Sequence, residues 1–433
     1  MGILAYKRFK SPSKLTLVES MTIAGLGWLI AAALGSIPYV LVLDMMPLDA
    51  FFEAMSSLTT TGMTMMPVLE VVPKSILFWR ALGEWIGGAG IILLTTLFLL
   101  SREGIIAWRL YVAEAREEKL APTMRETLRD VWLIYSFYTV LCAIILMFVG
   151  LEPFDAVCHS LTCISTGGFS TRTNNVGAFN SVVIEVVLLI FMVMGALRFS
   201  LHYKLFLGGL RHVVGDLEFK VFISILLVSS LIVSLDSAFT IGIRVEEAFR
   251  LGFFHTISIG TTAGFTTTDL SVFPPLSKVI LLMLMVVGGC MNSTAGGIRV
   301  WRLIALLKIA KYEVEGVFMP PEAFRSLKIN GRALRESEMV RVTSFFFIYI
   351  LFAFIATSIV LYFEKDFLGS LSGVLSALAN VGPFYSQPIT FCPASKIVLI
   401  ISMWVGRLEL IPVILLFAPR LWAEWRRSMR VTS

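Results

Sequence analysis

The sequence predicts an all-α integral membrane protein of four similar units, with eight spanning helices and four short re-entrant helices around a common axis. Three observations carry this. Of 433 residues, 57% are hydrophobic and 15% charged, whereas a soluble domain averages about 25% charged and so apolar a surface would not stay in water. Eight stretches are long and apolar enough to cross a bilayer, which takes about 20 residues. Four glycine-bearing motifs recur at near-regular spacing. The composition excludes a soluble enzyme. The net charge of +6 points to no nucleic-acid partner, because the 36 Lys and Arg are not clustered as a groove lining requires. Cys142, Cys158, Cys163, Cys290 and Cys392 are scattered without CxxC spacing, which gives neither a disulfide framework nor a zinc site.

The apolar run 17–43 follows a basic N-terminus with no small-residue cleavage site close behind, so it reads as the first spanning helix rather than a signal peptide. The other spans run 75–100, 128–149, 182–207, 219–241, 276–309, 340–363 and 396–419. Shorter semi-apolar segments such as 51–58 and 154–164 are too short to cross and read as re-entrant. Lys and Arg stay on the cytoplasmic side, and 27 of the 36 flank one face of this topology. Both termini are therefore expected in the cytoplasm, with the chain multi-pass in the inner (plasma) membrane. The other face has an acidic excess that includes Asp44, Asp49, Glu53, Glu70, Asp155 and Asp269. These acids either concentrate cations at a mouth or merely solvate loops and cap helices.

Each re-entrant segment leads into a short motif: TTGM from Thr60, TGGF from Thr166, TAGF from Thr262 and NVGP from Asn380. Their third-position glycines, Gly62, Gly168, Gly264 and Gly382, lie 106, 96 and 118 residues apart. Six residues before each stands a small hydroxyl residue, Ser56, Thr162, Ser258 and Ser376, and nine before stand Glu53, His159, His255 and Gly373. Neither histidine has a metal-ligand neighbour, and both are expected to hydrogen-bond locally. Asp49-Ala50 and Asp155-Ala156 mark helix starts, where Asp suits the N-terminus. The units are 1–110, 111–212, 213–325 and 326–433, the third with a broken second helix.

Four such units surround one central ion pathway on which the glycine segments converge. Removing water from a cation in hydrocarbon costs tens of kcal/mol by an idealised estimate, unless protein oxygens replace it. Rings of backbone carbonyls can do so for potassium, and glycine permits the conformations that aim them inward. The expected filter is Thr60, Thr61, Gly62, Thr166, Gly167, Gly168, Thr262, Ala263, Gly264, Asn380, Val381 and Gly382, with Asn380 and Pro383 making the fourth quarter unequal. A dehydrated monovalent cation such as potassium is the expected cargo, with no organic cofactor. A sodium or weakly selective cation transporter of the same architecture is the alternative. GxSxG, HExxH and P-loop motifs do not occur.

Below the filter, the sixth span is interrupted at 288–300 by Gly288-Gly289 and Gly296-Gly297 framing Asn292, Ser293 and Thr294. Polar backbone at membrane depth requires a wet or protein-lined cavity. The segment is either a loop lying beneath the filter or a glycine hinge for helix packing. Arg407 interrupts the last span and is a functional candidate as an intramembrane charge. It either projects under the filter or pairs with Glu409, Glu84 or Glu185. Arg80 and Glu84, four apart on one helical face, are expected to pair.

The motifs look like degenerate copies of the potassium-channel filter, and their arrangement resembles the Trk/Ktr/HKT superfamily of potassium transporters. DAFFEAMSSLTTTGMT from Asp49, EWIGGAGIILL from Glu84, PFDAVCHSLTCISTGGFST from Pro153 and GRLEL from Gly406 resemble the bacterial and archaeal Trk-type membrane subunit. The two extra N-terminal helices of longer members are expected to be missing. The resemblance implies potassium selectivity from glycine in all four quarters, gating by the broken segment of the third unit, and an arginine at the position of Arg407 that opposes cations. It also implies a homodimer in membrane lipid above a ring of nucleotide-binding regulatory subunits (TrkA-like). The basic stretch 299–341 either docks that partner or binds anionic lipid headgroups.

Overall fold

The computed structural model describes residues 17–100, 124–320, 326–329 and 332–417. The basic flanks expected before residue 17, over 102–123 and over 420–430 lie outside these, as do Pro321 and Arg325. In chain order the first helices are α1 (Leu17–Leu43), α2 (Pro47–Leu58), α3 (Lys74–Leu100), α4 (Met124–Phe148) and α5 (Pro153–Ile164). These are followed by α6 (Val182–Ala196), α7 (Phe199–Gly208), α8 (Leu210–Gly215), α9 (Leu217–Ile241), α10 (Val245–Gly260), α11 (Pro275–Val287) and α12 (Val300–Gly316). A two-residue antiparallel pair, Lys328–Ile329 with Arg332–Ala333, precedes α13 (Glu336–Glu364), α14 (Phe367–Ala379), α15 (Pro393–Leu408) and α16 (Ile411–Leu416). Among the described residues four helices are long and apolar enough to cross a membrane, or five if α6 and α7 form one bent span.

Proline at the first turn starts α2, α5, α11 and α15, where its missing N–H is no loss and its fixed φ suits the helix. Asp49 and Asp155 fall in the first turns of α2 and α5. Lys396 Nζ donates to Asp49 Oδ1 at 2.7 Å, and Arg172 Nη2 donates to Asp155 Oδ2 at 2.6 Å. Large apolar side chains such as Leu41, Phe148, Phe239 and Phe354 point outward, as expected of a surface that meets lipid rather than water.

Two expected spans are broken where the sequence reads as continuous. The 182–207 stretch bends by 107° between α6 and α7. The cause lies far along the chain: the carbonyls of Gly195 and Ala196 accept from the N–H groups of Thr294 and Cys290, at 3.4 and 3.0 Å, instead of continuing the helix. The 396–419 stretch breaks between α15 and α16, where Glu409 and Leu410 have φ of 61° and 51°. Glu409 there accepts ion pairs from Arg299 at 3.0 Å and Arg302 at 2.5 Å.

Second-helix glycines let the short helices approach. A Cβ on Gly87, Gly195 or Gly406 would meet the carbonyl oxygen of Leu58, Ile164 or Leu378, each four residues before a third-position glycine. Small residues at such contacts allow backbones to close up within a membrane. These three glycines went unremarked in the sequence, although they recur 25, 27 and 24 residues after Gly62, Gly168 and Gly382.

Candidate ion pathway

Each short helix runs into a stretch of common backbone shape. Thr60, Thr166, Thr262 and Asn380 have left-handed φ of 52°, 54°, 57° and 55°, and Gly62, Gly168, Gly264 and Gly382 have 83°, 81°, 73° and 108°. Alternating handedness turns successive peptide planes the same way, so carbonyls leave one side of the chain instead of alternating as in a sheet. The N–H groups of Thr61, Gly167, Ala263 and Val381 donate to the carbonyls of Ser56, Thr162, Ser258 and Ser376 at 2.9, 2.8, 2.9 and 2.9 Å. These acceptors are the hydroxyl residues found six positions before each glycine.

The four stretches close on one another. A Cβ on Gly62 would overlap the carbonyl oxygen of Gly167, one on Gly168 that of Ala263, one on Gly264 that of Val381, and one on Gly382 that of Thr61. This is a ring in chain order, in which only glycine leaves room for its neighbour's carbonyl. Of the twelve residues expected at the filter, Thr61, Gly62, Gly167, Gly168, Ala263, Gly264, Val381 and Gly382 take part in these contacts, while Thr60, Thr166, Thr262 and Asn380 begin the four stretches. The fourth quarter differs: Asn380 Nδ2 donates to Thr61 Oγ1 and to the Met403 carbonyl, each at 3.0 Å, and Pro383 contributes no N–H.

The residues nine before each glycine support the chain beyond the ring. Glu53 accepts from the Met65 N–H at 2.7 Å, and His159 Nε2 bonds Ser170 Oγ at 2.9 Å. His255 Nε2 lies 3.2 Å from the Thr268 carbonyl, while at Gly373 the Phe384 ring fills the place of a side chain. Both histidines also bond a carbonyl one turn back, of Asp155 and Leu251, so their contacts are local. The expected Arg80–Glu84 pair does not form. Arg80 Nε instead pairs with Glu53 Oε1 at 2.7 Å, both fully buried, because Glu53 on α2 reaches the guanidinium on α3. Breaking a buried pair leaves an uncompensated charge. Glu53→Gln is expected to cost about 3 kcal/mol, visible as a lowered thermal unfolding midpoint in detergent; an unchanged midpoint contradicts it.

The 288–299 loop lies against the end of the ring where the first-position residues stand. Its base is closed by N–H groups of Ile298, Arg299 and Val300 donating to the carbonyls of Val286, Val287 and Gly289 at 2.9, 2.8 and 3.0 Å. Its tip reaches the first-position side chains: Thr166 Oγ1 donates to Thr294 Oγ1 at 3.2 Å, and the Gly296 N–H donates to Thr262 Oγ1 at 2.9 Å. Gly296 also abuts the Ala379 carbonyl so closely that a Cβ would overlap it. Gly288 (φ 68°) and Gly297 (φ 79°) face each other, and Asn292 has φ 52°. Gly289 packs on Ala196, and Ser293 Oγ donates to the Cys290 carbonyl at 2.6 Å.

Arg407, buried, donates from Nη1 to the Thr294 carbonyl at 2.9 Å and from Nη2 to the Gly87 carbonyl at 2.8 Å. The carboxylate pairings entertained from sequence are not made. Glu409 binds Arg299 and Arg302, Glu185 binds Arg250 at 2.6 Å, and Glu84 lies behind the second stretch, accepting from the Phe169 N–H at 3.3 Å.

Residues 4–424 match the family described as TrkH, cation transport protein. The chain is 34% identical over 442 residues to the Trk system potassium uptake protein TrkH of Salmonella typhimurium, covering 98% of this chain and 90% of that protein. It is 36% identical over 419 residues to an uncharacterized cation transporter of Methanocaldococcus jannaschii, covering 95% of this chain and 85% of that one. The crystal structure of the potassium transporter TrkH from Vibrio parahaemolyticus is similar with a TM-score of 0.85 at 32% identity, over 95% of this chain and 87% of that one.

Proposed function

Since the chain belongs to the TrkH family of cation transport proteins, which are transporters and not enzymes, we propose that it takes up potassium through a ring of backbone carbonyls. Units 1–110, 111–212, 213–325 and 326–433 each supply a quarter of the ring. The observation that carries the reading is cyclic closure: each third-position glycine makes room for the carbonyl of the next stretch, and the last for that of the first. Such oxygens replace a potassium ion's hydration shell. The membrane potential supplies about 2.3 kcal/mol per 100 mV for each ion, so this subunit needs no hydrolysis.

The 288–299 loop is the gate in this reading, since its tip bonds Thr166 and Thr262 from below. Arg407 is the second element. Its guanidinium is held by two carbonyls and no carboxylate, which leaves a net positive charge beneath the ring to oppose cations. Arg407→Gln is expected to raise rubidium uptake into liposomes severalfold with the rubidium-to-sodium ratio unchanged; an unchanged rate removes Arg407 from the gate. Both termini face the cytoplasm of the inner membrane. The chain works as a homodimer in lipid, with nucleotide-binding TrkA-like subunits beneath it.

Rubidium and sodium uptake by the purified protein in liposomes tests the whole reading. Rubidium uptake well above sodium is expected. Equal fluxes favour the weakly selective alternative, toward which the unequal quarter made by Asn380 and Pro383 points.

A further inference from the structure

The ring is not held equally on all sides. In the second stretch the peptide joining Gly168 to Phe169 is gripped at both polar ends. Its N–H donates to Glu84 Oε2 at 3.3 Å, and its carbonyl, on Gly168, accepts from Asn175 Nδ2 at 3.1 Å. A trans peptide is planar, so fixing both ends fixes the rotation of the plane about the chain. A carbonyl oxygen has two lone pairs, so accepting from Asn175 leaves it able to accept once more.

Both grips are themselves held. Glu84 is fully buried on α3, with its carboxylate against Gly167 where a Cβ would overlap it. One turn earlier, Arg80 lies over the Phe169 ring, 4.0 Å from its centroid. Asn175 has φ 51°, and its Oδ1 accepts from the N–H groups of Val176 at 2.8 Å and Thr266 at 3.4 Å. Those two donors fix which end of the amide is oxygen and turn Nδ2 toward Gly168. Thr266 follows the third stretch, so Asn175 also ties the second quarter to the third. The corresponding peptides elsewhere differ. Pro383 has no N–H to hold, and among the described residues no side chain bonds either end of the Gly62–Met63 or Gly264–Phe265 peptide.

We infer that Glu84 and Asn175 are positioning residues that clamp the Gly168 carbonyl, making the second stretch the fixed quarter of the ring and setting how strictly potassium is preferred over sodium. The inference rests on the filter reading above. A carbonyl free to rotate lets the ring relax around a smaller or partly hydrated ion, whereas a clamped one does not.

Rubidium and sodium uptake by the full chain in liposomes tests it, with Asn175→Ala, Glu84→Ala, the double variant, Glu84→Gln and, as reference, Gly264→Ser. Loss of one hydrogen bond predicts a rubidium-to-sodium ratio lowered about two- to tenfold in each alanine variant. The double variant is expected to fall no further, because the plane is freed once, and Glu84→Gln, which keeps an acceptor, is expected to stay near the parent. Asn175 lies in a half-buried turn, so its variant carries the test even where removing buried Glu84 costs the fold. An unchanged ratio in Asn175→Ala beside a lowered one in Gly264→Ser overturns the clamp and leaves the filter standing. A Gln variant as poor as the Ala variant overturns the hydrogen-bond account of Glu84. No change in Gly264→Ser as well overturns the filter, and the clamp with it.

Discussion

Gly264→Ser is expected to lower the preference for rubidium over sodium about tenfold, the equivalent of 1.4 kcal/mol. Gly264 has φ 73°, a conformation that costs a side-chain-bearing residue about 1–2 kcal/mol. Its Cβ would overlap the Val381 carbonyl oxygen, and Pro383 Cδ stands 3.1 Å from the same point. The added atom has no way round, so the Val381 carbonyl has to turn or retreat. That oxygen belongs to the proposed ring, and its displacement changes the distance at which a bare ion is held. Gly150 is the control: φ 105° but nothing within 4 Å of an added Cβ. Gly150→Ser also places a side chain at positive φ but without touching the ring, so it is expected to lower stability slightly and leave the ratio alone. If Gly264→Ser keeps the parent ratio of uptake in liposomes, the carbonyls around Gly264 do not select the ion.

How much of this was legible in the sequence depends on the range of the causes. The glycines and the hydroxyl residues six before them are local and periodic, and each pair became the same turn with the same Ser56-type hydrogen bond. The break in the sixth span was legible because it is written in glycine at 288–289 and 296–297. The 107° bend after Ala196 was not, since nothing at 195–198 forbids a helix; the N–H groups that take its carbonyls come from Cys290 and Thr294. The same holds for charge. Arg80 and Glu84 satisfy the spacing rule for a helical pair, yet Glu53 from another helix reaches the guanidinium first, leaving Glu84 to the Phe169 N–H. Arg407 invites a search for carboxylates, and spacing cannot reveal that its partners are the carbonyls of Gly87 and Thr294. Backbone acceptors carry no sequence signature, so intramembrane charges that bind them are the contacts that sequence reading misses.

Shortening the loop across 292–297 is expected to raise rubidium uptake by an order of magnitude while leaving the rubidium-to-sodium ratio within about twofold of the parent, the least that one hydrogen bond is worth. The separation of the two effects follows from which bonds are lost. The tip holds Thr166 and Thr262 only through their hydroxyls. The turns that shape the ring are closed instead by the bonds from Gly167 to Thr162 and from Ala263 to Ser258, at 2.8 and 2.9 Å, which the deletion leaves alone. The base bonds from Ile298 and Arg299 back to Val286 and Val287 also lie outside the excised residues, so α11 and α12 keep their junction. What disappears is the backbone stacked under Ala379, the Thr294 bonds to the Ile164 and Gly195 carbonyls, and the Thr294 carbonyl to which Arg407 is tied, and with that anchor gone the charge beneath the ring is free to swing aside. In the proposed reading, flux and selectivity therefore respond to different bonds. A shortened chain that conducts no faster places the barrier elsewhere than the loop. One that conducts faster but admits sodium equally makes the loop part of the ring's own support, because the hydroxyl bonds of Thr166 and Thr262 would then be needed to hold the carbonyls in place.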